Sequence, residues 1–133
     1  MLFRSEGKWE NETLAYDVGD ESTNTFASVS ACGVSRSAWL ELLSPKEKSS
    51  GIRFWIDSNS QLCHFRVELF YDGNWYYLKE WPSGSLCPAK GEWVVVDYPE
   101  RKVEKARCYF YRGSISSGCS QGYLSEFQFK AYE

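Results

Sequence analysis

Histidine and paired cysteines are scarce in this sequence. Its 133 residues include one histidine, His64, and its five cysteines contain no CxxC pair, so the ligand spacing of a zinc site is missing. There is also no nucleophile elbow, His-based triad or phosphate-binding loop. Acidic residues are plentiful, but no pair of them stands in a recognisable glycosidase context. The sequence therefore favours a protein that is not an enzyme.

Excess positive charge and long apolar runs are lacking as well. The net charge of -3 argues against nonspecific binding to nucleic acid or to an anionic membrane. No stretch is long enough to span a bilayer, and residues 1–6 lack the apolar core of a signal peptide. We therefore expect a soluble chain. If the natural protein is secreted, either its signal peptide has been removed or the domain belongs to a larger chain. The length, without repeats or a linker, fits one domain over residues 1–133.

The odd number of cysteines leaves at least one thiol unpaired in a monomer. Cys108 stands in an apolar run that reads as a strand, so we expect it to be a small core residue. Cys32 and Cys119, both in predicted loops, are a candidate disulfide pair in an oxidising compartment. The sequence leaves the redox state of these cysteines open.

Short runs that alternate with period two recur along the chain, and no helical period persists. In residues 51–57, Ile52, Phe54 and Ile56 share one face, and Asp-Gly-Asn at 72–74 predicts a tight hairpin. Similar runs occupy residues 65–71, 75–78, 93–97, 106–111 and 127–131. Three prolines are predicted to lie between strands: Pro82, Pro88 and Pro99. Evenly spaced short strands indicate an all-β sandwich.

Oxygen-bearing side chains crowd one segment near the start of the chain, residues 15–28. Carboxylate and hydroxyl groups lie on both sides of Gly19, and such hard donors suit calcium. The same composition suits a polar turn with capping side chains. Local composition leaves both interpretations open.

Six segments, taken in order, resemble the discoidin, or coagulation-factor C-type, domains and the related galactose-binding-like carbohydrate-binding modules. They are residues 15–28, Trp-Leu-Glu-Leu at 39–42, Gly-Ile-Arg-Phe-Trp at 51–55, Phe-Arg-Val-Glu-Leu-Phe-Tyr-Asp-Gly-Asn-Trp at 65–75, Ala-Arg-Cys-Tyr-Phe at 106–110 and Tyr-Leu-Ser-Glu-Phe-Gln-Phe at 123–129. The resemblance spans residues 9–132. It implies a jelly-roll β-sandwich and favours an extracellular or cell-surface location.

The resemblance also implies a structural calcium ion between the opening loop and the last strand. Asp17 or Asp20 would supply one carboxylate, Thr25 a hydroxyl or carbonyl oxygen, and Glu126 a second carboxylate. Val18 makes this loop one residue longer than the family pattern. The alternative is that these groups form turn hydrogen bonds and that Glu126 lies on the surface.

Ligand binding in the resembling modules lies at one end of the sandwich, where three loops of this chain would meet: residues 29–38, 57–63 and 112–122. Planar polar groups there suit sugar hydroxyls, each of which donates and accepts. The candidate residues are Arg36, Asp57, Asn59, Gln61, Arg112 and Gln121, with Tyr123 placed to stack on a sugar. The leading hypothesis is a non-catalytic carbohydrate-binding module for a glycan or polysaccharide, with a fused catalytic domain or another protein as further partners.

A second surface combines aromatic and arginine side chains that face away from the predicted core. If three of the strands are neighbours, this surface would carry Arg53, Trp55, Arg66, Phe70, Arg107, Tyr109 and Tyr111. Aromatic residues make up 17% of the chain, more than a core of this size needs. Such a surface suits a sugar-binding groove or a protein interface. The alternative function is therefore a protein-interaction or structural assembly domain.

Overall fold

The computed structural model describes residues 2–5, 9, 26–43, 48–82, 87–115 and 118–129. These residues form β-strands and no helix, and the strands make two antiparallel sheets that pack as a sandwich. The all-β sandwich prediction is therefore confirmed. No helix in these ranges has the length and apolarity needed to cross a membrane.

Ten strands are present in the described residues. They are β1 (Leu2–Ser5), β2 (Ala27–Cys32), β3 (Val34–Arg36), β4 (Leu40–Leu43), β5 (Ser49–Ile56), β6 (His64–Tyr71), β7 (Asn74–Trp81), β8 (Trp93–Arg101), β9 (Lys105–Gly113) and β10 (Cys119–Phe129). The larger sheet has the order β1-β4-β9-β6-β7, with β3 also paired to β9. The smaller sheet has the order β2-β10-β5-β8.

The core lies between the two sheets and is filled by the alternate residues of each strand. Ile52, Phe54 and Ile56 of β5 are all fully buried, as their shared phase predicts. Phe54 meets Phe65 of the larger sheet at 4.5 Å between ring centroids, and Phe65 meets Phe110 at 5.0 Å. The first contact joins the two sheets and the second lies within the larger sheet, and each buried ring removes a large apolar area from water.

The β6–β7 hairpin turns at Asp72 and Gly73, between the paired residues Tyr71 and Asn74. Both turn residues have positive φ, 52° and 79°. A two-residue turn of this kind matches the twist of the flanking strands, which is why Asp-Gly favours it. The predicted hairpin is confirmed.

Pro99 was predicted between strands but lies within β8. This strand is at the edge of the smaller sheet, where one side of the backbone has no partner strand among the described residues. The register between β5 and β8 also shifts between Ser49 and Gly51, opposite this part of β8. An edge position with an irregular ladder tolerates a residue that lacks an N–H.

The structure pairs Cys32 with Cys119, as the candidate pairing anticipated. The predicted loop location was wrong, because the two residues face each other across β2 and β10. A second disulfide joins Cys63 to Cys87. Cys108 is a free, buried thiol that packs in the core, and burial raises its pKa well above the usual value.

Candidate functional site

Several of the predicted loop-end residues come together along β10. The backbone N–H groups of Gln61 and Leu62 donate to the Gln121 carbonyl at 3.0 and 3.1 Å, and Gln61 Oε1 accepts from the Gln121 N–H at 2.9 Å. The Asp57 N–H donates to the Tyr123 carbonyl at 3.0 Å. The loop that follows β5 is therefore docked on the start of β10 by hydrogen bonds that belong to the fold.

The side chains of the remaining loop-end candidates also hold the fold. Asp57 is 8% exposed, and its Oδ2 accepts from the Asn59 N–H at 2.9 Å, which closes a turn. The ring of Tyr123 stacks on Phe26 at 4.1 Å. Gln121 Nε2 donates to Ser30 Oγ at 2.6 Å. A ligand role for these residues stays a prediction.

Arg112 is a buried clamp at the end of β9. Its side chain is turned inward, with 7% exposure, and Nε donates to Ser120 Oγ at 3.1 Å. Nη1 donates to the carbonyls of Gly33 and Ser114 at 3.2 and 3.1 Å. The guanidinium thus ties the turn after β2 to the segment before β10. Arg36, predicted at the same end, instead lies beside Tyr109 on the outside of the larger sheet.

Of the predicted calcium ligands, only Glu126 lies in the described residues. It is on β10 and is fully buried, so it is not the surface residue of the alternative interpretation. Its Oε1 accepts from Gln128 Nε2 at 2.9 Å. Asp17, Asp20 and Thr25 lie outside the described residues, and no cluster of three His, Cys, Asp or Glu side chains suited to a metal occurs within the described ranges. The calcium site stays a prediction.

The outer face of the larger sheet carries charged and aromatic side chains in register. Arg107 on β9 stands between Glu41 of β4 and Glu68 of β6, and Glu68 stands opposite Tyr77 of β7. Two residues along, Tyr109 stands opposite Arg66, and Arg66 opposite Glu80. Further rows add Lys105, Phe70 and Trp75 on one side, and Arg36, Tyr111 and His64 on the other. We call this surface the outer face.

Glu68 is the centre of the charge arrangement on the outer face. It is 7% exposed, and its two oxygens accept from Arg66 Nε and Arg107 Nε, both at 2.7 Å. A carboxylate so deeply buried is tolerated because two guanidinium groups neutralise and hydrogen-bond it. Glu68 therefore fixes the orientation of both arginines.

Aromatic rings also pack against the arginine and lysine side chains of the outer face. Arg107 Cζ lies 3.9 Å from the Trp75 ring centroid, and Arg66 Cζ lies 4.8 Å from that of Tyr77. Lys105 Nζ lies 4.7 Å from the Phe70 ring. These cation–π contacts, together with the Glu68 carboxylate, limit the rotamers that the arginines can adopt.

A second charge cluster flanks Arg66. Glu80 accepts a hydrogen bond from Arg66 Nη1 at 3.1 Å, and its other carboxylate oxygen is hydrogen-bonded to His64 Nε2. The hydrogen bond with His64 is the main cause that lowers the pKa of Glu80, and Arg66 adds to it. Burial works to lower the pKa of Arg66, but the neighbouring Tyr109, Glu68 and Glu80 outweigh it, so that pKa is raised.

A cavity of about 130 Å³ opens on the outer face, lined by Arg36, Trp39, Glu68, Arg107 and Tyr109. Tyr109 contributes an aromatic ring to the lining, with Arg36 Cζ 5.6 Å from the ring centroid. Burial is the main cause that raises the pKa of Tyr109, so the phenol keeps its proton at neutral pH. The cavity therefore offers ring surface, guanidinium donors and a phenol O–H side by side.

The predicted aromatic and arginine surface is confirmed for β6 and β9, but not for β5. Arg53 and Trp55 belong to the smaller sheet, so they face away on the opposite side of the sandwich. There Arg53 Cζ lies 3.9 Å from the Trp93 ring, and Trp55 meets Trp93 edge-on at 5.5 Å. The prediction depended on the three strands being neighbours, and that condition, which local alternation cannot establish, is not met by β5.

Sequence reasoning missed Trp39 and Glu68 as members of the site. Glu68 has the outward phase of Arg66 and Phe70, and that phase was the available signal. Trp39 directly precedes β4 and gave no signal beyond its place in the Trp-Leu-Glu-Leu motif.

No model of a known protein family matches the chain, and no curated protein matches its sequence. Solved structures with a similar fold include two carbohydrate-binding modules. One is a pectin-binding carbohydrate-binding module, with TM-score 0.63, 15% identity, and coverage of 100% of this chain and 91% of that one. The other is chitosan-binding module 1, derived from a chitosanase/glucanase of Paenibacillus sp. IK-5, with TM-score 0.61, 15% identity, and coverage of 98% and 94%. The chain therefore has the fold of these carbohydrate-binding modules, while membership of the discoidin family stays a prediction.

Proposed function

We propose that the protein is a non-catalytic carbohydrate-binding module that holds a glycan against its outer face. The observation that carries this proposal is the cavity whose lining combines the aromatic side chains of Trp39 and Tyr109 with the arginines Arg36 and Arg107. The shared fold with two carbohydrate-binding modules supports it, since one of them binds pectin and the other chitosan.

The chemistry of the cavity matches that of a sugar. Aromatic rings cover the apolar C–H face of a pyranose, while arginine and tyrosine groups donate to its hydroxyl oxygens. Arg36 stands on β3, Arg107 and Tyr109 stand on the paired strand β9, and Trp39 directly precedes β4. Arg107 is already fixed by Glu68. A surface that is ordered before the ligand arrives loses little entropy on binding.

The outer face suits this role better than the predicted loop ends do. Arg112, Gln121 and Asp57 already donate or accept hydrogen bonds that hold loops to strands, so a ligand would have to replace those bonds. The two locations are separable by mutation: Tyr109→Ala tests the outer face, and Asn59→Ala tests the exposed loop end.

Isothermal titration calorimetry against a panel of polysaccharides tests the proposal. The panel contains pectin, polygalacturonate, chitosan, galactan and xylan. We expect at least one to bind the wild type, and Tyr109→Ala or Trp39→Ala to weaken that binding about tenfold, equal to about 1.4 kcal/mol. Trp93→Ala, which removes a half-buried aromatic from the opposite face, is the matched control and should leave affinity unchanged. Absence of binding across the panel would refute the proposal.

A protein-interaction domain is the second candidate function. It is favoured by the exposure of Tyr77, which is 59% accessible on the outer face next to stacked arginines. Tyrosine and arginine are the residue types that anchor interfaces. Analytical ultracentrifugation over a range of concentrations tests it for self-association: a dimer that Tyr77→Ala dissociates would support this function, and a monomer at every concentration would count against a second copy as the partner.

A further inference from the structure

We propose that the glycan recognised by the outer face is acidic, a polysaccharide whose uronate carboxylates bind Arg107 in the cavity. This inference rests on the proposed carbohydrate-binding function and narrows it to one class of ligand. It is argued from the hydrogen-bond donors and charges that line the cavity.

Arg107 has donors that the described residues leave unused. Its Nε donates to Glu68 Oε1 at 2.7 Å, and its Cζ lies over the Trp75 ring. Its two terminal nitrogens donate to no atom in the part of the chain that the structure describes. The side chain is 26% exposed and lines the cavity, so these N–H groups face the space that a ligand would fill.

The geometry of these donors selects a planar anion. A guanidinium presents parallel N–H groups that match the two oxygens of a carboxylate, and such charge-assisted pairs are stronger than neutral hydrogen bonds. Glu68 holds the Arg107 guanidinium through a hydrogen bond to Nε, and the Trp75 ring packs against the guanidinium. The fork is therefore oriented before a ligand arrives, which lowers the entropic cost of binding.

The charge of the lining also favours an anion. Two of the five lining residues, Arg36 and Arg107, are cationic, and Glu68 is the single carboxylate among them. Both oxygens of Glu68 already accept from guanidinium nitrogens. Glu41, opposite Arg107 in the sheet, is 2% exposed and does not line the cavity. An ammonium group entering this space would meet two guanidinium cations, so an amino-sugar polymer is disfavoured.

Tyr109 supplies the neutral donor that a uronate ring also needs. Its hydroxyl makes no hydrogen bond within the described ranges, and its ring lies between Arg36 and the charged row of β6. A phenol is protonated at neutral pH, and burial raises the pKa of Tyr109 further, so its O–H can donate to a carboxylate or ring hydroxyl oxygen next to Arg107. Together, Arg107 and Tyr109 distinguish a uronate from the neutral sugar of the same shape.

The test is calorimetry with sodium polygalacturonate and with the same polymer after chemical reduction of its carboxylates to alcohols. We expect the acidic polymer to bind at least tenfold more tightly, with an affinity that falls as salt is raised because the pairing is electrostatic. Arg107→Gln should weaken polygalacturonate binding at least tenfold. Arg101→Gln, which removes an arginine that also stacks on a ring, Tyr71, but lies away from the cavity, should not.

Arg107→Lys distinguishes a loss of ligand contacts from a loss of binding caused by misfolding. Lysine keeps the charge beside Glu68 but lacks the planar fork, so we expect weakened binding with an unchanged melting temperature. Chitosan and polyglutamate complete the set of ligands. Equal affinity for the reduced polymer or for chitosan, or wild-type affinity in Arg107→Gln, would overturn the inference and leave carbohydrate binding intact.

Two further outcomes are decisive. Polyglutamate binding as tightly as polygalacturonate would overturn the inference in favour of an acidic polypeptide. Absence of binding to every polysaccharide would remove the proposed function, and the inference with it.

Discussion

Gly122 of β10 lies directly against the ring of Phe110, and we predict that Gly122→Ala is one of the most destabilising small substitutions in this protein. A Cβ atom at this position would lie 2.4 Å from Phe110 Cδ2, and 2.7 Å from both Cγ and Cε2. Carbon atoms in van der Waals contact are separated by about 3.5–4.0 Å. The ring would therefore have to retreat by more than about 1 Å.

The ring has little room for such a movement. Phe110 is fully buried, with Phe65 at 5.0 Å and Trp9 at 6.3 Å between ring centroids. Overpacking a core of this density costs about 1–3 kcal/mol, and we expect the upper end of that range here. For a domain of this length, about 3 kcal/mol lowers Tm by roughly 10 °C.

Urea denaturation and thermal unfolding of matched variants measure the effect. Gly113→Ala is the control, because its Cβ would meet only Tyr111 Cε2, at an ordinary 3.9 Å, and should change the free energy of unfolding by less than about 0.5 kcal/mol. Phe110→Leu in the Gly122→Ala background should recover part of the loss relative to the sum of the single changes. The packing argument fails if Gly122→Ala is as mild as Gly113→Ala, or if the double variant shows no coupling.

Three other predictions concern the disulfide, a carboxylate and the metal. The Cys32–Cys119 disulfide joins residues that are 87 positions apart in sequence. Replacing both by serine removes it and should lower the free energy of unfolding by about 2–5 kcal/mol in urea titrations. A smaller change would mean that the disulfide constrains the unfolded chain little. Glu80→Gln should lower the free energy of unfolding at pH 7 by about 1 kcal/mol or less, which thermal unfolding detects as a lower Tm. Because the folded pKa of Glu80 is lowered, its stabilisation is present above about pH 4.3 and is lost as pH falls through that pKa, so the variant and wild type should converge in acid. Calcium should raise Tm and a chelator should lower it, with both responses lost in Glu126→Gln; a Tm indifferent to calcium would contradict the predicted site.

The strands were predictable where sheet geometry imposes a local pattern. Alternation along Ile52, Phe54 and Ile56 predicts the buried face of β5, because successive side chains point to opposite sides of any sheet. The turn at Asp72 and Gly73 was predictable because few residue pairs adopt positive φ at two successive positions. Both signals come from adjacent residues and do not depend on the rest of the fold.

Strand neighbours were not predictable from the same signals. Alternation says that Trp55 and Arg107 point away from the core, but not that β5 pairs with β10 and β8 while β9 pairs with β4 and β6. The bulge in β7 made it impossible to predict from alternation that Tyr77 and Glu80 both belong to the outer face. Leu78 is the extra residue there, so Tyr77 and Glu80 share a face although they are three positions apart. Strict alternation would have put them on opposite faces.

Two arginines of β9 show how position along a strand separates a structural role from the binding role that we propose. Arg107 and Arg112 are an odd number of residues apart, so their side chains leave opposite faces of the same strand. Arg112 has the phase of the core residues Cys108 and Phe110, and a charge sent inward persists only if internal partners satisfy its donors. Ser120 and two carbonyls do so. Arg107 points outward, where one carboxylate and one ring suffice to orient it, and its remaining donors stay available to a ligand. Arg112 was one of the seven predicted loop-end ligands because it begins the predicted loop at residues 112–122, whereas Arg107 was predicted only on the second surface. The phase of the strand favours Arg107.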